Sequence, residues 1–419
     1  MSAMLHHPLA AASTTAGDGA EARERIVWIS MDEIAIGMFV HPLSSTSFLI
    51  GRKDEIRTLQ ETGAKGVFVD LAKSSPASLP EWARGMAGIK RDGTARPGDP
   101  AVKVNRRAAA FDRARQVLRR SRVPMERLLR QARLGKTLEK KEVVDLVEDI
   151  AASVEQCASA IISLSRIKTV DSFTYLHSLA VCALMVNFAR NAGFSRADVQ
   201  ELGMAGLLHD VGKTVVGSAI LNKPGALTPA EMATMRTHSE AGHEILSRGG
   251  QFPATVLDVA LHHHEKIDGT GYPHKLAGDS ISVPAKMAAI ADVYDAVTSN
   301  RPYKEAWLPG ESLADMFTWK GHFDTGLLQT FIRSVGIYPV GSLVRLASDR
   351  LALVLEQDDG DLTRPLVRIF YSIPQRSPVS ITDLPLARQE SDSILSREDP
   401  RKWGFDDWDR RWPEMIRLD

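Results

Sequence analysis

The chain has 419 residues, with 52 Lys and Arg against 52 Asp and Glu, 44% hydrophobic and 25% charged residues, 12 His and 2 Cys. Wholesale disorder needs low hydrophobicity with high net charge, and this chain has neither. Two cysteines, Cys157 and Cys182, make no disulfide framework, the apolar run Leu179 to Val186 falls far short of the ~20 residues of a membrane helix, and the N-terminus lacks a basic n-region, so a cytoplasmic protein without membrane attachment is expected.

Residues 1–24, rich in Ala, Thr, Gly and Ser, read as a disordered start. From 25 to 72, the runs IVWIS, GMFVHPL and GVFVD around the helical stretch DEIRTLQETGA predict a small α/β domain. Pro76, Pro80, Pro97 and Pro100 mark 73–105 as a linker. Over 106–335, apolar residues recur three and four apart in 109–134, 139–167, 172–192, 196–211, 229–248, 253–264, 283–299 and 310–335, which predicts an all-helical domain. Gly193 ends one helix, and Thr228-Pro229-Ala230-Glu231 offers an N-cap, a first-turn proline and a Glu placed for a capping box. After Gly336 the runs SLVRLA, LALVLEQ and LVRIFYS predict a small β-meander over 336–390. Trp403, Trp408 and Trp412 predict that the tail 391–419 docks by its indoles. The expected fold class is therefore mainly α, a helical bundle with a small α/β domain before it and a small β-meander after it.

Neutral total charge hides a segregation. Residues 101–140 hold 13 Lys and Arg against 3 Asp and Glu, a net +10. Val117, Leu118, Leu128, Leu129 and Leu134 interleave with the arginines, as on the solvated side of a packed amphipathic helix. The same charge could attract a nucleotide or an acidic lipid. Nucleic acid is not an expected partner, since no nucleic-acid motif accompanies the charge.

The histidines are unevenly placed: eight of the twelve fall between 177 and 274. His177 lies in SFTYLHSLAV, and His209-Asp210 ends LGMAGLLHD and runs into Val211-Gly212-Lys213. His238 and His243 share TMRTHSEAGHEIL, and His262-His263-His264-Glu265 closes an apolar helix. AAIADVYDAVTS sets Asp292 and Asp295 on an otherwise apolar helix, where buried carboxylates need partners. Each element alone has an ordinary structural explanation. Together, imidazoles and carboxylates from five segments without Cys favour Fe, Mn or Zn over a structural Cys-zinc site. Two such ions bridged by a carboxylate suit hydrolysis of a phosphate ester.

The series HS, LLHDVGK, LNKPGALT, AGHEIL, HHE, DGTGYP and ADVYDAVTSNRPYK, in order over 172–310, resembles the HD-GYP family of bacterial cyclic di-GMP phosphodiesterases, a subgroup of the HD metal-dependent phosphohydrolases. ISMDEIAIGMFVHPL with GVFVDL resembles a small domain of uncharacterised role found ahead of HD-GYP domains. The resemblance implies an HD-type bundle, cyclic di-GMP as substrate, and pGpG with GMP beyond it as products. It implies metal ligation by His177, His209, Asp210, His238, His263, His264 and Asp292, with Asp210 bridging two divalent ions, Fe or Mn first and Zn or Ni as alternatives. Lys213 would contact the scissile phosphate. Gly271, Tyr272 and Pro273 would form the loop beside the site, with Gly269 and Gly271 allowing its turns, and Arg301 and Lys304 would hold phosphates and guanine. Asp295 and Glu265 read as supports of the ligands, and His243, His262 and His274 as bystanders. In relatives with three metals a Glu lies one turn before the helical His; here that position is Phe173, so two metals are expected. A catalytically weak, cyclic di-GMP-binding effector and a hydrolase of another nucleotide remain alternatives. The helices of 106–167 are expected to form a connecting or homodimerising bundle, with signalling proteins as further partners.

Overall fold

The apolar run Leu179 to Val186 lies in the helix Phe173–Asn191 and is buried on every side. A helix that is apolar all round belongs in a core. Around it pack Lys140–Ser165, Arg196–Leu208 and Val283–Thr298. The computed structural model describes residues 26–41, 48–61, 66–71, 73–80, 100–168, 173–299, 307–358, 360–389 and 391–417. Among them no helix is long and apolar enough to cross a membrane. The expected disordered start, residues 81–99 of the expected linker, and Arg301 and Lys304 lie outside the described residues.

The chain divides into two compact units, a helical one of residues 106–307 and 319–334 and a second one of the remainder. In the helical unit, side-chain caps begin two of the helices. Ser195 accepts from Asp198 N at 3.2 Å to start Arg196–Leu208. Thr228 and Glu231 close a reciprocal capping box that starts Pro229–Arg236. A second helix, His238–Ser247, follows at once, so the expected segment 229–248 is two helices broken at Thr237, whose hydroxyl donates back to Thr234 O at 2.8 Å. The long basic helix Pro100–Arg133 buries Phe111, Ala114, Met125, Leu128 and Ala132 and turns most of its arginines outward.

The other unit holds two antiparallel sheets. The strands β1 (Ile26–Ser30), β2 (Phe39–His41), β3 (Phe48–Leu49) and β4 (Gly66–Asp70) pair in the order β1-β4-β2-β3. Ile29, Met38, Val40, Ile50, Val67 and Val69 share one core with Leu59 of the helix Lys53–Glu61. The C-terminal strands β5 (Leu343–Leu346), β6 (Arg350–Glu356), β7 (Leu366–Ser372), β8 (Ser377–Pro385) and β9 (Ile394–Arg397) pair in the order β8-β7-β6-β5-β9.

Two further sequence expectations need correction. The segment 310–335 is two helices, Pro309–Thr318 and Thr325–Val335. Gly321 at φ +75° breaks the run, and Asp324 accepts from Leu327 N at 2.9 Å to begin the second helix. Pro309–Thr318 falls in the sheet-containing unit, against β1 and β4. The segment expected as a tail supplies β9, a fifth strand that pairs with β5. Its indoles do dock: Trp408 and Trp412 are buried, and Nε1 of Trp408 donates to Gly341 O at 2.8 Å.

Candidate metal centre

The helix Arg196–Leu208 delivers His209 at its C-terminal end, and Asp210 opens the short 3-10 turn Val211–Val215. Gly212 makes the next approach possible. A Cβ there would stand 1.9 Å from His238 O, so only glycine lets the start of His238–Ser247 lie on this turn. That contact brings His238 to Asp210, with Nε2 at 3.3 Å from Oδ1. Ala254–His262 carries His263 and His264 at its end, and Val283–Thr298 presents Asp292 and Asp295.

All seven residues expected as ligands come together, in two groups that share Asp210. One is His177, His209, Asp210 and Asp292; the other is Asp210, His238, His263 and His264. His177 Nε2 lies 3.3 Å from Asp210 Oδ2 and 3.1 Å from Asp292 Oδ1, and His209 Nε2 lies 3.2 Å from Asp210 Oδ2. His263 Nε2 is 3.6 Å from Asp210 Oδ1.

Four imidazoles have their Nδ1 atoms already engaged. His209, His238 and His263 donate Nδ1–H to the carbonyls of Gly206, Met235 and Val259 at 2.8, 2.7 and 2.9 Å, and His177 donates to Asp295 Oδ2 at 2.7 Å. A carbonyl only accepts, so the proton sits on Nδ1 and the neutral ring keeps its lone pair on Nε2. Were these rings all neutral, lone pair would face lone pair: Nε2 of His177 and His209 are 3.2 Å apart, and those of His238 and His263 3.4 Å. Asp210 Oδ1 is buried and accepts no hydrogen bond. Such a set is repulsive until a cation stands among the donors, and imidazole with carboxylate suits a divalent transition metal.

The electrostatics agree. Burial pulls the His177 imidazole down, but hydrogen bonds to Asp210, Asp292 and Asp295 outweigh it and hold it up at about 10. Against the same burial, Asp210 and Asp292 hold His209 up at about 9. Both carboxylates are held well below their usual range, against burial, chiefly by Lys213 with the histidines for Asp210 and by His177 and His209 for Asp292. The pull toward positive charge at Nε2 is thus strong in this group. Burial pushes His238 down to about 3 and His264 well below its usual value, which leaves neutral imidazoles ready to ligate.

Surrounding groups hold this arrangement. Asp295 takes a hydrogen bond from the buried ammonium of Lys168, which also donates to Ser299 Oγ at 2.9 Å. Glu265, expected beside the imidazoles, instead accepts from His274 N at 2.7 Å and Leu276 N at 3.0 Å, and so ties down the loop that follows Gly271-Tyr272-Pro273. A Cβ on Gly271 would come within 2.5 Å of Glu265 Cα. The Tyr272 ring lies 4.7 Å from His264, with the Arg236 guanidinium 5.1 Å from its centre. Lys213 Nζ is 2.5 Å from Asp210 Oδ2. His262 pairs with Asp258 and His274, and with His243 these two lie outside both groups. Sequence reasoning missed Lys168, Ser299 and Arg236; Ser299 and Arg236 stand inside ADVYDAVTSNRPYK and TMRTHSEAGHEIL beside stronger ligand candidates, and Lys168 lies outside every such run.

A cavity of about 380 Å³ opens beside the centre, lined by Asp210, Lys213 and Thr214 on one side and by Glu126, Arg130 and Arg133 of the basic helix on the other.

A sequence profile of the HD domain matches residues 145–327, and one of a domain of unknown function, DUF3391, matches 26–143. The chain is 40% identical over 405 residues to a cyclic di-GMP phosphodiesterase of Pseudomonas aeruginosa, covering 93% of this chain and 96% of that one. It is 41% identical over 147 residues to a cyclic di-GMP phosphodiesterase response regulator of Xanthomonas campestris, covering 35% of this chain and 39% of that one. A 3'3'-cGAMP-specific phosphodiesterase of Vibrio cholerae is 35% identical over 192 residues, covering 45% of this chain and 36% of that one.

Proposed function

We propose a function from the premise that this chain belongs to the HD-domain cyclic di-GMP phosphodiesterases: it is a metal-dependent enzyme that hydrolyses cyclic di-GMP to the linear dinucleotide pGpG. The observation that carries this reading is the convergence of imidazole Nε2 atoms on Asp210, whose Oδ1 has no donor. His177, His209, Asp210 and Asp292 would hold one divalent ion and Asp210, His238, His263 and His264 another, Fe or Mn before Zn or Ni. When bound, such a pair supplies Lewis acidity and an activated water.

The chain's own residues do the rest. The carbonyls of Gly206, Met235 and Val259 keep protons at Nδ1 and so keep Nε2 free to ligate. Lys213, on the cavity wall, places an ammonium where charge gathers on the attacked phosphate. Glu265 anchors the loop that sets the Tyr272 ring over His264 and bounds the site.

The test is turnover of cyclic di-GMP by Mn- or Fe-loaded protein, followed by chromatography of the product. The wild-type chain forms pGpG, and Asp210→Ala, which removes the residue common to both groups, forms none; equal traces from the two would overturn the reading. Offering 3'3'-cGAMP in parallel settles the nucleotide, because faster turnover of that substrate would reassign it. Phe173 favours a second reading, a slow enzyme that serves as a cyclic di-GMP receptor. Tight binding without turnover would select it.

A further inference from the structure

We propose that Arg130 and Arg133, in the helix that precedes the HD domain, bind the phosphodiester of the cyclic dinucleotide that is not being cleaved. This rests on the functional reading above and deepens it. Glu126, Leu129, Arg130 and Arg133 are three and four residues apart, so they share one face of Pro100–Arg133, and all four line the cavity. An adjoining face, with Met125, Leu128 and Ala132, is buried. The helix is thus held by one face while the next walls the site.

The arginines of this helix are not alike. Arg120, Arg122 and Arg127 are paired with Asp149, Glu126 and Glu142 at 2.6, 2.8 and 2.9 Å. Among the described residues, Arg130 and Arg133 have no carboxylate partner. Glu126, the carboxylate on the same wall, is already neutralised by Arg122. Two free guanidinium groups therefore face a cavity whose far wall is Asp210 and Lys213. A cyclic dinucleotide carries two phosphodiester anions on one ring. With one held at Lys213 and the metal groups, the other must meet the opposing wall, and a guanidinium grips a phosphate through two parallel hydrogen bonds. The arginines touch neither the scissile phosphate nor the ligands, so their contribution is to affinity.

Steady-state kinetics on the Mn-loaded chain and calorimetric titration of the EDTA-treated chain, both with cyclic di-GMP, test this. In Arg130→Ala/Arg133→Ala, KM and Kd rise at least about tenfold while kcat falls by no more than a few-fold. Arg130→Lys/Arg133→Lys, which keeps the charge but loses the fork, falls between. Arg119→Ala, about three turns earlier on the helix, removes a charge without moving KM. Unchanged KM and Kd in the double alanine variant, or an equal rise in Arg119→Ala, overturns the proposal and leaves the enzyme assignment standing. Absence of wild-type turnover together with weaker binding in the double variant overturns the enzyme assignment and leaves this site standing.

Discussion

His177 shows how one residue depends on partners far away in the chain. Its Nδ1–H is held by Asp295, and Asp295 is held by Lys168, whose side chain is fully buried. The charge of Lys168 is tolerable there only because the carboxylate answers it. Asp295→Asn keeps an acceptor for His177 but strands the ammonium, and is expected to cost about 3–5 kcal/mol in urea unfolding of the metal-free chain. Metal affinity should fall by about 10- to 100-fold in a competition titration with a chromogenic chelator. Lys168→Met/Asp295→Asn removes both charges and should recover much of the stability but not the affinity; a double variant as unstable as the single would show that the ion pair is not the cause. The ligands were legible in the sequence because each imidazole sits in its own local pattern, such as LLHDVGK or HHHE. Lys168 was not. It lies just past the end of an apolar helix, and its burial is decided by a partner 127 residues downstream.

At the scale of elements, the ends of three helical segments, at His209, His238 and His263, meet two helices that carry His177 and Asp292 within their length, and Gly212 sets the closest approach. Because a Cβ would fall 1.9 Å from His238 O, Gly212→Ala must push His238–Ser247 away from the turn and with it His238 from Asp210. A displacement near 1 Å at a catalytic group costs about a hundredfold in rate. The expected outcome is a loss of that order in kcat/KM, with metal content reduced toward one ion per chain, since the group containing His238 loosens and that of His177 does not. Wild-type rate and metal content in Gly212→Ala would show that the helix start can yield. The HD dipeptide supplies two ligands, whereas the glycine two residues on controls how near His238 comes to them. The helix limits were legible where caps stand, as at Thr228 and Glu231. The break at Gly321 is a weaker signal, one glycine and one Asp against an apolar period that runs on across them.

For the whole molecule, the chain enters the sheet-containing unit three times, at its beginning, at 308–318 and from 335 onward. Periodicity finds a helix at 309–318 but not its unit, because membership is decided by contacts with β1 and β4, hundreds of residues earlier. The same holds for Arg130 and Arg133: the charge was legible, while the cavity that gives it use is closed by Ser178, Asp210, Lys213, Thr214 and Leu221, far downstream in the chain. The profile of the domain of unknown function runs to 143, yet the helical unit begins at 106, so in this chain most of the helix Pro100–Arg133 lies within the matched region and in the unit that holds the centre. All seven metal-seeking residues lie in the helical unit and come from segments scattered between 177 and 292. An ion that binds the folded bundle and not the unfolded chain stabilises by mass action, about 2.7 kcal/mol at a hundredfold excess over its dissociation constant. Two compact units need not melt together. Scanning calorimetry should therefore resolve two transitions, of which EDTA lowers only the one belonging to the helical unit, by several degrees, and added Mn restores it in proportion to the logarithm of its concentration. Movement of both transitions together would mean that the two units unfold as one cooperative body, and movement of neither would mean that the groups around Asp210 hold no ion.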